Sequence, residues 1–163
     1  MPVSRDMIRA WVRPGAVMRE RLAEPVREDR AFLFLLAACG LVFVAQWPRL
    51  ARQAYLEGEA LEPLMGAALM AWVFIAPLLF YGLAALSHLV ARLAGGRGSW
   101  YGARLALFWS LLCVAPVWLL HGLTAGFIGP SAALTGVGLA LLGLFLWIWI
   151  ASLAVAERGM EAA

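Results

Sequence analysis

From Leu105 to Ala156 the chain runs for 52 residues without a single Asp, Glu, Lys or Arg. As one straight helix that run would extend about 78 Å, while the hydrocarbon layer of a bilayer is only about 30 Å thick. It must therefore cross twice, and Gly126, Gly129, Pro130 and Ser131 supply the turn between crossings. Two further uncharged runs, Ala31 to Pro48 and Pro63 to Ala91, are each long enough for one crossing. The spans are predicted at about 31–47, 64–91, 105–124 and 132–155. With 64% hydrophobic and 14% charged residues among 163, a water-soluble domain is excluded. The expected fold is an all-α polytopic transmembrane bundle of about four spans, preceded by amphipathic cytoplasmic helices in residues 1–30 and followed by a short tail, 157–163.

Arginines choose the orientation, since every basic residue is an arginine. Seven precede the first span, three lie in the Arg92 to Arg104 loop and one follows the last span; only Arg49 and Arg52 fall on the other side. The positive-inside bias then places both termini in the cytoplasm. No apolar core precedes a small-residue cleavage site, so the first span reads as an uncleaved anchor. Trp47, Trp100, Trp118, Trp147 and Trp149 fall near span ends, where an amphipathic ring prefers the interface. The net charge of +3 sits beside membrane segments, which points to anionic lipid rather than nucleic acid.

Before the first span, Ile8, Trp11 and Val12 recur at helical spacing among Arg5, Arg9 and Arg13. Pro14 stops that helix and opens a second, with Val17, Met18 and Leu22 on one side. Such stripes suit the membrane surface; packing on the protein's own loops is the alternative. Within the spans, Pro77 and Pro116 remove backbone donors and predict kinks that free the carbonyls of Val73 and Leu112.

Little in the spans can do chemistry. No carboxylate lies inside a predicted span, which removes the usual carriers of proton coupling. Cys39 and Cys113 read as small hydrophobes. His88 and His121 fall at opposite ends of the bundle, too far apart to share a metal, and each reads as an interfacial or helix-bonding histidine. Gly129-Pro130-Ser131 has the GxS pattern of a serine hydrolase with His121 on the same side, but a turn glycine, an N-terminal proline and a capping serine account for it. Ala132, Gly136 and Ala140, with Gly143 nearby, follow small-xxx-small spacing, as do Ala84, Ser87 and Ala91; packing between spans of one copy is the expectation. No catalytic residue, cofactor or metal ligand is assigned, and the chain reads as a non-enzyme.

Between the second and third spans, Gly95, Gly96 and Gly98 can end one helix in a tight turn. Arg97 holds that turn on the inner side, Ser99 caps the next helix, and Trp100 seats it in the interface. This Gly95-Gly96-Arg97-Gly98-Ser99-Trp100 turn, followed by Trp109, Ser110 and Pro116, resembles the Yip domain family, the Ypt/Rab-interacting polytopic membrane proteins. Arg13-Pro14-Gly15-Ala16-Val17-Met18 is similar to the Pro-containing cytoplasmic helix that opens many bacterial members. Pro116 stands about one turn later than in the family pattern, and the chain ends where a fifth span would begin. The long N-terminal region of eukaryotic members is absent, so Rab binding is not carried over.

The resemblance implies a helical membrane protein of a bacterial inner membrane, acting through partners or membrane organisation. The partners expected are membrane lipids and either another membrane protein or further copies of the chain. The alternative is a small permease or lipid-translocating protein with a polar path among Gln46, Ser87, His88, Ser110 and Thr124.

Overall fold

The computed structural model describes residues 3–158. The tail expected at 157–163 lies mostly outside the described residues. Among those described there is no strand, and four helices are long and apolar enough to cross a membrane.

Two short helices come first, α1 (Val3–Val12) and α2 (Pro14–Leu22), with Pro14 in the first turn of α2, where its missing N–H is harmless. The first span is α3 (Glu28–Glu57), whose opening turn carries Glu28 and Asp29 against the positive end of the helix dipole. It runs ten residues beyond the predicted end at 47, straight through Pro48, and stops at Gly58, whose φ of 66° is the left-handed cap.

The second span is α4 (Leu61–Leu69), a π-helical turn (Met70–Ile75) and α5 (Ala76–Leu93). Pro77 lies in the first turn of α5, two residues past the wide turn. The adjustment expected around this proline therefore takes the form of a widened winding in the preceding residues. The third and fourth spans are α6 (Trp100–Phe127) and α7 (Ala132–Glu157). Each is capped by a serine side chain: Ser99 Oγ accepts from the Gly102 N–H at 3.0 Å, and Ser131 Oγ from the Leu134 N–H at 3.2 Å.

Helix α6 is the axis of the bundle. Leu105 through Ala115 are buried on every side, and Phe34 and Trp109 meet at 5.2 Å while Tyr81 and Phe108 meet at 4.9 Å. Its main partner is α3, which runs parallel to it: Arg104 pairs with Glu28 at one end, and Arg52 donates to the carbonyl oxygens of Gly126 and Phe127 at the other. Between these, the backbones nearly touch. A Cβ on Gly122 would lie 1.8 Å from the Ala45 carbonyl oxygen, and one on Gly126 2.3 Å from Pro48 Cβ. Gly122 and Gly126 are a GxxxG pair that sequence reading passed over. Of the two small-residue stripes expected to pack within one copy, that on α5 has Ala84 and Ser87 buried, whereas that on α7 has open space at Gly136 and Gly143 and exposed residues at Ala132 and Ala140.

Candidate functional site

At the end of the bundle where α5 and α7 finish and α3 and α6 begin, the glycine turn closes on the last residue of α7. Gly95, at φ 93°, is the left-handed residue of a Schellman cap in which the Gly96 N–H reaches the Ala91 carbonyl at 2.8 Å. Gly96 and Gly98 have ordinary backbone angles and are small for another reason. A Cβ on Gly98 would sit 2.4 Å from the Ala156 carbonyl oxygen, and one on Gly96 2.9 Å from both the Ala91 carbonyl oxygen and Glu157 Oε2. Gly98 is demanded by the close approach of the α7 backbone, and Gly96 by the Ala91 carbonyl and the Glu157 carboxylate that crowd it.

That approach lets the turn hold Glu157. The Arg97 N–H donates to the Glu157 carbonyl at 2.7 Å and the Gly98 N–H to Oε2 at 3.2 Å, while His88 Nδ1 lies 2.6 Å from Oε1. His88 and Glu157 are both buried, and the imidazole ring lies 4.4 Å from Trp100. Helices α5 and α7 and the glycine loop are thereby joined through a single carboxylate, with Trp100 of α6 against the imidazole. Sequence reading placed Glu157 just past the last span and His88 near the end of the second; their common depth at the same end was the available signal.

Helices α1 and α2 pack into the same half of the molecule. They rest against the spans α6 and α7 rather than on loops. The Trp11 indole N–H donates to the Cys113 carbonyl at 2.9 Å, three residues before Pro116 and about 20 Å along α6 from its start. A proline-interrupted stretch of helix is where a carbonyl can be spared for an outside donor. The carbonyl used is that of Cys113, next to the Leu112 carbonyl expected to be freed. Trp147 of α7 donates in turn to the Trp11 carbonyl at 3.3 Å.

Behind this anchor, Arg21 lies buried with its guanidinium 3.6 Å from the Trp109 ring centre and 5.2 Å from that of Phe34. It pairs with Asp6 of α1 at 3.1 Å, and Arg9 pairs with Glu20 at 2.7 Å, so the two short helices are tied to each other as well. Burial pulls the Arg21 guanidinium below its ordinary pKa, an effect reinforced by Arg30 and opposed by Asp6. Neither Arg21 nor Asp6 could be singled out among the N-terminal charges by spacing alone, because the rings that receive Arg21 come from α3 and α6.

The outward side of the pair is different in kind. Arg5, Arg13 and Arg19 are exposed, together with Ile8 and Val12. Of the residues singled out in sequence, Gly95 to Trp100 thus form the clasp, Trp11, Pro14 and Trp109 belong to the N-terminal anchor, Pro116 flanks it, and Pro77 stands apart in α5.

The other constellations do not assemble. Ser131 is engaged as a cap, and His121 sits beside Gly138, seven residues and about 10 Å further along α7. Ser87, Ser110 and Thr124 donate to their own helices, at Ala84, Ala106 and Leu120, and Gln46 accepts from Arg49. Among the described residues no three His, Cys, Asp or Glu side chains could hold a metal. No protein-family model, curated protein or solved structure matches the chain.

Proposed function

We propose that the chain is a non-enzymatic, Yip-like protein of a bacterial inner membrane, with both termini cytoplasmic, that works as an interaction or membrane-organising module. The observation that carries this reading is the docked α1–α2 pair. It is anchored at mid-span through Trp11 and clamped by Arg21, yet presents Arg5, Ile8, Val12, Arg13 and Arg19 outward. A basic and apolar outward surface of this composition suits anionic headgroups and the acidic face of a partner. Ser87, Ser110, Thr124 and Ser131 support the same reading, because their hydroxyls are spent on helix backbones and a helix end rather than turned toward a common path.

The test is purification of a C-terminally tagged copy from its native membrane in mild detergent, wild type against Arg5→Glu/Arg13→Glu/Arg19→Glu. A stoichiometric protein or an anionic lipid retained by the wild type and lost from the triple variant is the expected result. Equal retention by both would move the functional surface elsewhere. Thiol labelling of Ser4→Cys but not Glu57→Cys from the cytoplasmic side is expected, and the reverse would overturn the orientation.

A further inference from the structure

Between α5 and α7, from mid-bundle toward the end where α6 finishes, the spans leave a crevice of about 370 Å³. Phe80 and Leu83 of α5, Leu111 and Trp118 of α6, and Leu142 and Phe145 of α7 form its walls. It exists because α5 and α7 scarcely touch, each leaning on α6 instead. The walls are apolar with one exception, His121, whose ring meets the edge of Trp118 at 6.1 Å. This imidazole is half-buried, and neither ring nitrogen has a hydrogen-bond partner among the described residues. Its Nε2 faces Gly138, where an added Cβ would come to 3.5 Å, so the missing side chain leaves the nitrogen open to the crevice.

The depth of these groups specifies an occupant. His121 lies six residues before the end of α6, about 9 Å in, and Leu111 lies about 15 Å further toward the middle of the bundle. A polar group near the interface above a slot of apolar side chains that descends to mid-bilayer matches one molecule in its natural orientation. That molecule is a glycerophospholipid of the leaflet opposite the N-terminal helices. An unpartnered ionisable side chain at membrane depth is expensive unless a ligand satisfies it.

We propose that this crevice is a lateral binding site for one such lipid, an acyl chain lying between α5 and α7 and His121 hydrogen-bonding an ester or phosphate oxygen. The site is independent of the arginine surface of α1 and α2, none of whose residues lines it. Leu142, which is 53% exposed, forms its open lip.

The experiment uses the whole protein in vesicles of phosphatidylethanolamine and phosphatidylglycerol, with a trace of either lipid carrying a diazirine on one acyl chain. Adducts are located by peptide mass spectrometry after illumination. Leu83, Leu142 and Phe145 should label more heavily than Leu78 and Leu139, which are more exposed but lie outside the crevice. Gly138→Leu, which fills the slot, should bring crevice labelling down to the level at Leu78. His121→Leu should lower it about threefold, as loss of one hydrogen bond within a membrane does, with His121→Gln restoring it. Unchanged labelling at Leu78 in each variant reports that the protein is still inserted.

Crevice labelling no heavier than at Leu78 in the wild type would overturn the proposal, as would labelling indifferent to Gly138→Leu. Equal crevice labelling by a diazirine-bearing alkane without a headgroup, unaffected by His121→Leu, would overturn the role of His121.

Discussion

Helices α6 and α7 carry the same kind of small-residue spacing and use it in opposite ways. On α6, Gly122 and Gly126 have the backbone of α3 pressed where their side chains would be, whereas on α7, Gly136 and Gly143 face open space. Spacing shows that a helix can be approached closely; it carries no information on which neighbour arrives. The neighbour is chosen by the rest of the surface. Helix α6 sits at the centre, buried from Leu105 through Ala115, and its Gly122–Gly126 face is the one that α3 covers. Helix α7 lies at the margin, and its small-residue face is left over.

The largest effect expected from this contrast belongs to Gly122→Val, which drives a branched side chain into the Ala45 carbonyl. Destabilisation of about 3 kcal/mol or more should appear as a lower thermal midpoint in detergent, and near-wild-type stability would mean that α3 and α6 do not meet there. Next comes Gly98→Ala at the other tight approach, about 2 kcal/mol, because the obstacle is the backbone of α7 rather than a movable side chain. Gly95→Ala should lose about 1 kcal/mol, through φ alone. An equal loss at both positions would erase the distinction between steric and conformational glycines.

Trp11→Phe removes the indole donor to Cys113 while keeping an aromatic ring, and about 1 kcal/mol should be lost. Limited proteolysis near Pro25 should accelerate with it; an unchanged cleavage rate would show that α1 is held by other contacts. Smallest of all, Gly136→Val on the open face should stay within about 0.5 kcal/mol of wild type in monomeric detergent preparations. A loss as large as that of Gly122→Val would put a neighbour on that face.

A pH dependence separates the exposed ties of α1 and α2 from their buried ones. Hydrogen bonding to Arg9 holds the Glu20 carboxyl below its usual 4.5, so this pair's contribution is present above that value and is lost as pH falls through the lowered one. Both groups are solvated and the effect is small. Glu20→Gln should remove it from a pH titration of thermal stability, and an unaltered profile would assign the acid sensitivity to other carboxylates.

Much of this architecture is legible along the chain because the bilayer sets its terms. Uncharged runs longer than the hydrocarbon thickness must become spans, every backbone donor in them must be satisfied by helix formation, and glycine, proline and serine mark where those helices stop and start. Ser99, Ser131 and Gly95 take their roles from neighbours within a few residues, so local sequence suffices for them.

Pairing between distant segments was decided only in three dimensions. His88 meets Glu157 across 69 positions, and Trp11 meets Cys113 across 102. In both cases the partner is specified by how helices of nearly featureless apolar surface settle around α6, and small residues permit several such arrangements. Packing selects among them through backbone approaches such as that of Gly122 to Ala45. Those distances are properties of two helices at once, which no single stretch of sequence contains.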